Sequence, residues 1–323
     1  MRIGLSWEGG LAPGPLAALA EAADELGVDT LWAACHLFQR EPIVNAAMVL
    51  GRTQRLRAAL MAMSPYSVHP VYATMAAASL AEWFPGRVIL SFGSGAPRDL
   101  DAVGLKAERP LGAVGESLGI ARALLGGDAV DYAGQRYQAH GRRLSSGRQQ
   151  VPIMLAASGP KMLELAGAEA DGVLLSAATS PAFLAWALEH VRRGEAKAGR
   201  RVHKAALVFA SVDGDSGIAR SRLRRSLGFI LRGEHHARNL ALAGSRLDQA
   251  ALTAAFARED WGEVERLVDD EVVGNHTASG TPAELRAAWQ AYRAVGLDEV
   301  VLAGITEPAP LRALMAALHP TAS

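Results

Sequence analysis

Eight short apolar runs separated by longer segments of helical period constrain this chain more than any other feature. The runs are Arg2–Ser6, Thr30–Ala34, Leu56–Met61, Val88–Phe92, Ile153–Ala156, Gly172–Leu175, Ala205–Ala210 and Glu299–Leu302. Runs of this kind suit parallel strands covered on both faces, and the Ala/Leu/Glu/Arg segments between them supply crossover helices. Eight repeats match a (β/α)8 barrel, although a doubly wound sheet uses the same unit. The helix-to-strand corners favour one barrel over two domains: LGVDTLW (26–32), AEADGVLL (168–175) and VGLDEVVL (295–302) each end a helix on a small residue and put Asp before the strand. One repeated corner predicts one α/β domain over residues 1–323, a TIM-type barrel, rather than two domains.

Two connections exceed an ordinary turn. Residues 126–150 predict a hairpin, with Val130–Tyr132 and Arg136–Gln138 flanking a glycine-containing turn. Residues 212–280 are too many for a structureless loop and predict a long helical insertion between the seventh and eighth strands.

Composition narrows the partners. Lys plus Arg equals Asp plus Glu at 33 each, so charge gives no reason to expect nucleic acid or an anionic membrane, and a small-molecule substrate is the natural ligand. The Arg-rich pieces 136–148 and 220–225 read as solvated faces. Cys35 is the one cysteine, which excludes an intramolecular disulfide and a cysteine-rich metal site and suits a reducing cytoplasm. MRIGLSW goes straight into a strand with no leader pattern, and no apolar stretch reaches the roughly 18 residues of a membrane span. Metal-ligand spacing, a Gly-x-Ser-x-Gly elbow and a Walker A loop are all missing, so no metal is expected and hydrolase and kinase readings lose ground.

In a barrel the site lies at the C-terminal strand ends. The segments there are ACHLFQREP (34–42), MSPYSVHP (63–70), GSGAPRD (93–99) and ASGPKM (157–162). His36 is a hydrogen-bond donor or proton carrier, set against the commoner role of a structural histidine. SGPKM opens a helix, and on its own terms it is equally an anion site or a Ser158 cap. GSGAPR lacks the third glycine and the acid of a dinucleotide fingerprint. His235 and His236, in the insertion, are read as facing water.

Together GVDTLWAACHLFQREP, SPYSVHP, FPGRVILSFGSGAPRDLDAVGL, VDYAGQRYQ, PIMLAASGPKMLELAGAEADGVLL and GTPAELRAAWQAYRAVGLDEVVL resemble the luciferase-like flavin and deazaflavin oxidoreductases. The nearest resemblance is to the methylenetetrahydromethanopterin reductase branch. It implies an oxidoreductase that transfers a hydride between coenzyme F420 and a small organic substrate, with FMN and a two-component monooxygenase as the alternative. It also implies a bulge at the end of the third strand, often with a cis peptide, at Met61, Ala62, Met63 and Ser64, backing the cofactor ring. Gly93, Ser94 and Gly95 would lie near the ring or its side chain, and Ala157, Ser158 and Gly159 would bind its phosphate. Pro65 and Pro70 would fix the turn that follows the bulge, braced by Tyr66 and His69. His36 matches a family histidine near the reactive face, and a homodimer is common in the family.

Three positions depart from the pattern. Cys35 replaces an acid that commonly precedes the histidine, and Ala96 stands where the sugar-phosphate dehydrogenases carry a catalytic Glu. Ser6 stands where a strand-one carboxylate occurs, with Glu8 as the substitute acid. The changes at Cys35 and Ala96 also keep open a barrel that has lost catalysis and serves as a binding or structural subunit.

Overall fold

In the computed structural model, which describes residues 1–319, each of the eight predicted apolar runs forms a strand. The chain clusters into two compact units. The first is Gly4–Leu174 with His190–His203. It contains β1 (Arg2–Trp7), β2 (Thr30–Ala34), β3 (Arg57–Met63), β4 (Val88–Phe92), the hairpin β5 (Val130–Ala133) and β6 (Gln138–Arg142), then β7 (Ile153–Ala157) and β8 (Gly172–Leu175). Its sheet runs β1-β2-β3-β4-β7-β8. The helices α1 (Pro13–Glu25), α2 (Pro42–Arg52), α3 (Pro70–Trp83), α4 (Pro97–Asp101), α5 (Pro110–Gly126) and α6 (Pro160–Glu169) all begin on proline. A proline there gives up an N–H that has no intrahelical partner anyway, and its fixed φ sets the turn from strand to helix.

The second unit is Met1–Ile3, Leu175–Glu189 and Lys204–Ser323. There α7 (Pro181–Ala198) begins, and β9 (His203–Val212) lies between two partners. The insertion supplies α8 (Ser216–Ser221), α9 (Arg224–Leu231), α10 (Ala237–Ala243), α11 (Gln249–Ala257), α12 (Trp261–Leu267) and α13 (Asp270–His276), then β10 (Thr277–Gly280). The chain continues through α14 (Pro282–Ala294), β11 (Glu299–Ala303) and α15 (Pro308–Leu318). β10 and β11 both pair with β9 in parallel. The βα order is that of a TIM-type (β/α)8 fold, with β10 as an additional parallel strand.

The repeated Asp corners have a physical role. Asp171 accepts the Ile153 N–H at 2.8 Å, and Asp298 accepts the Lys204 N–H at 2.9 Å, so each acid fastens a strand start to its neighbour. Strand packing is dry: Leu31, Trp32, Leu60 and Leu90 are fully buried, each contributing about 1.5–3 kcal/mol.

Four expectations need correction. The second hairpin strand is Gln138–Arg142 rather than Arg136–Gln138, because Glu116 draws the Gln135, Arg136 and Tyr137 N–H groups into the turn. β10 was not foreseen; its TASG sequence has no strand pattern, and pairing with Phe209–Val212 makes it one. His236 does not face water: it is buried, and burial together with His235 and His276 pushes its pKa down to about 3. No peptide bond among the described residues is cis.

Within the second unit, the segment that follows Leu175 is held by a buried polar group. Ala178 has φ +58°, a left-handed conformation costly for a residue with a Cβ. Its carbonyl accepts from Asn239 Nδ2 at 2.7 Å and from His276 Nδ1 at 3.1 Å. Asn239 Oδ1 also accepts the Ser180 N–H, and Ser245 Oγ meets the far nitrogen of His276. Burial keeps that histidine neutral, with its pKa down to about 4, so Nδ1 carries the proton that Ala178 accepts.

Candidate active site

The strand ends of the first unit bring most of the predicted residues together. At the end of β3 the pairing with β4 slips between Leu60 and Met63, so the bulge is present with every peptide trans. The Cys35 N–H donates to the Met61 carbonyl at 2.6 Å, joining the segment of His36 to the bulge. Met61, Met63 and Ser64 are buried, and only Ala62 among the four is partly open. Of the four residues expected to back a ring, Ala62 thus offers the one partly open side chain. A Cβ on Gly93 would come within 2.9 Å of the Ala62 Cβ and 3.2 Å of the Ala156 Cβ. Ala62, Gly93 and Ala156 therefore meet closely, three small residues with no room for a side chain on Gly93.

Gly95 has φ +82°, and a Cβ there would meet Ser64 Oγ at 2.7 Å. Only glycine satisfies both conditions. Ser64 Oγ in turn donates to the Ser94 carbonyl at 3.2 Å, locking the β4 exit onto the bulge. The turn beyond is braced as predicted. Tyr66 donates to the Glu108 carbonyl at 2.6 Å, and His69 Nδ1 accepts the Val71 N–H at 3.2 Å to cap α3. The hairpin adds to this brace: Tyr137 donates to the Pro65 carbonyl, and Arg136 lies 4.4 Å above the Tyr66 ring.

At the β7 exit the cap reading of Ser158 is not realised. Gly159 occupies the N-cap of α6 with no side-chain hydrogen bond, and space around it is open. Ala157 is buried and serves as backbone. The first N–H groups of a ten-residue helix are left for an external acceptor, the arrangement that suits an anion.

His36 lies between two carboxylates. Its Nε2 is 3.4 Å from Glu8 Oε2 and its Nδ1 3.3 Å from Asp99 Oδ2. Sequence reading singled out Glu8 but not Asp99, which sits in the first turn of α4 and carries no periodic or spacing signal. The one legible hint was its place at the end of GSGAPRD, about seven residues past the end of β4. The Glu8 hydrogen bond raises the His36 pKa; burial opposes this, and the charges of Glu8 and Asp99 add to the rise. Partial desolvation of the half-open Glu8 carboxylate works against its ionisation, but hydrogen bonds from His36 and Ser6 prevail and hold its carboxyl below the ordinary range. Cys35 is pushed up to about 11, mainly by burial and further by Glu41 and Asp99, so it stays a neutral thiol. Arg40 donates to the Gly9 and Gly10 carbonyls, at 3.4 and 2.7 Å, tying the His36 loop to the segment after β1.

A hollow of about 550 Å³ lined by Gly86, Arg122, Arg148, Pro152 and Asp171 lies at the opposite, N-terminal strand ends, away from His36. No cluster of three or more metal-ligating side chains occurs among the described residues. No described helix is long and apolar enough to cross a membrane.

Known proteins share this architecture. The chain is 30% identical over 288 residues to the 5,10-methylenetetrahydromethanopterin reductase of Archaeoglobus fulgidus, an alignment spanning 86% of each chain. The coenzyme F420-dependent tetrahydromethanopterin reductase of Methanopyrus kandleri superposes with a TM-score of 0.89 at 22% identity, covering 98% of this chain and 97% of that one. The FMN-bound oxygenating constituent of 3,6-diketocamphane monooxygenase from Pseudomonas putida gives a TM-score of 0.72 at 16% identity, covering 99% and 97%. The two structural likenesses speak to the fold. The luciferase-like monooxygenase family model matches residues 5–299, and the chain belongs to that family.

Proposed function

We propose that the protein is an F420-dependent oxidoreductase that moves a hydride between the deazaflavin and a small organic substrate. The observation that carries this reading is the close contact of the small residues Ala62, Gly93 and Ala156 at the strand ends, joined through the Cys35–Met61 hydrogen bond to the His36 cluster. Similarity to reductases of the methanopterin pathway, one of them described as F420-dependent, supports the choice of cofactor. The residues present fit such a group. Ala62 and Gly93 would carry its ring, Ser94 and Gly95 would border it, and Ser158 with the free N–H groups of α6 would take its phosphate. When bound, the deazaflavin supplies or accepts a hydride. His36 gives a proton to the substrate heteroatom in reduction and takes one back in oxidation, with Glu8 beside its Nε2.

Titration of the purified protein with F420 and with FMN, followed by absorbance, tests the reading. F420 is expected to bind, and Ser158→Asp, which puts a negative charge where the phosphate would sit, is expected to weaken it more than about tenfold, or about 1.4 kcal/mol. Submicromolar FMN binding without F420 binding would replace this reading with a two-component monooxygenase. Binding of neither would favour a non-catalytic barrel.

We also propose a homodimer formed by α2 and α3. Val44, Tyr72, Met75 and Trp83 are exposed there, Trp83 by 81%, around an apolar groove lined by Ile43, Ala47, Ala76 and Phe84. Sedimentation equilibrium is expected to give a dimer for the parent and a monomer for Tyr72→Glu/Trp83→Glu. A monomeric parent at tens of micromolar would remove the proposal.

A further inference from the structure

Both ring nitrogens of His36 face carboxylates, which leaves the proposed proton carrier no free nitrogen. One carboxylate has to yield before the imidazole meets a substrate. Distance does not choose between 3.3 and 3.4 Å, but support does. Glu8 follows β1, precedes Gly9 and Gly10, and has a side chain 56% exposed. The Asp99 side chain is 24% exposed, and its N–H donates to the Ala96 carbonyl at 3.1 Å. The next residue, Leu100, is buried. Glu8 Oε1 can keep the hydrogen bond from Ser6 Oγ while the longer, more exposed side chain turns Oε2 away from Nε2, whereas the shorter and less exposed Asp99 side chain rises from an anchored turn. We infer that Asp99 is a positioning residue: it retains the Nδ1–H of His36 while Glu8 releases Nε2 to the incoming substrate heteroatom. The inference rests on the reading of His36 as the proton-carrying group.

The proton balance follows from this division. In reduction the Nε2–H bond breaks as the new O–H or N–H bond of the product forms; a bound deazaflavin would supply the hydride that completes the addition. His36 becomes neutral with its remaining proton on Nδ1, held by Asp99. Nε2 is then reprotonated from solvent past the exposed Glu8. The other groups near the ring do not compete: Cys35 stays a neutral thiol, Glu41 bears on Cys35 and caps α2, and the Arg40 guanidinium is turned to the Gly9 and Gly10 carbonyls. Glu8 is the larger contributor to the charge on His36, so charge and orientation are assigned to different acids.

A pH titration of the ¹⁵N-histidine-labelled apoprotein by NMR reads both tautomer and pKa with no cofactor present. The neutral His36 is expected as the Nδ1–H tautomer in the parent and in Glu8→Gln, and as the Nε2–H tautomer in Asp99→Ala. Asp99→Asn, whose amide oxygen still accepts a proton, is expected to restore Nδ1–H. Both Glu8→Gln and Asp99→Ala should lower the His36 pKa, Glu8→Gln by more. In the loaded enzyme the acid form exists below that pKa, so the alkaline limb of kcat for reduction should move to lower pH in Asp99→Ala. A parent in the Nε2–H form, or an Asp99→Ala variant that keeps Nδ1–H, overturns the inference. Because the tautomer is read on apoprotein, that result is separate from whether F420 binds.

Discussion

Replacing His36 with alanine is expected to lower kcat by roughly 100- to 10,000-fold, the usual contribution of a positioned general acid or base. The loss should fall on kcat rather than on cofactor affinity. The imidazole touches Glu8 and Asp99, whereas the surfaces assigned to the cofactor are Ala62 with Gly93 and the start of α6. Single-turnover oxidation of bound reduced F420 by a panel of small ketones and cyclic imines measures the chemical step. A thermal scan should show the parent's Tm within a degree or two, since the His36 side chain is 43% exposed and surface changes usually cost little. A variant that retains more than a tenth of the parent rate would remove His36 from the chemistry.

The second large effect is expected in stability. Gly167 of α6 and Gly194 of α7 let the two helices cross backbone on backbone. A Cβ on Gly167 would press into the Val191 carbonyl, its carbon 3.0 Å away, and a Cβ on Gly194 would stand 2.7 Å from the Ala168 nitrogen. Backbone cannot rotate aside as a side chain can, so Gly167→Ala is expected to cost about 3 kcal/mol, the upper part of the range for overpacking. Denaturant melts read this directly. Gly115→Ala is the control: its Cβ meets nothing closer than Leu165 Cδ2 at 3.8 Å, and alanine in a helix interior gains about 0.5–1 kcal/mol over glycine. The double variant Gly167→Ala/Gly194→Ala should cost less than the sum of the singles, because one helix shift relieves both. Since α6 begins at the proposed phosphate site, Gly167→Ala should also weaken F420. Equal stability of the two single variants Gly167→Ala and Gly115→Ala would show that α6 and α7 have room to part.

Much of this architecture was legible because parallel strands buried on both faces are written as unbroken apolar runs. β2, β4 and β8 match their predicted bounds, and β3 continues to Met63 because pairing with β4 resumes there, opposite Phe92, beyond the bulge. What escaped depends on tertiary contact. Thr277–Gly280 becomes a strand by pairing with β9, and Tyr137 leaves its predicted strand for a turn ordered by Glu116. The candidate site shows the same split. Glycines at the β4 exit and the helix start after β7 are local features of the chain, and both were read. Asp99 is one of two acids in a short helix, 63 residues beyond His36, and only the fold brings them together.

Asn239 and His276 together hold the strained Ala178 carbonyl in the segment that follows Leu175. Both come from the insertion, so this segment is not a free appendage for evolution to rewrite. Losing either post would release a left-handed alanine whose conformation costs about 1–3 kcal/mol. Descendants that remodel residues 212–280 for new chemistry are therefore confined to changes that go around two fixed points, and recombination that swaps the whole insertion would have to carry both along.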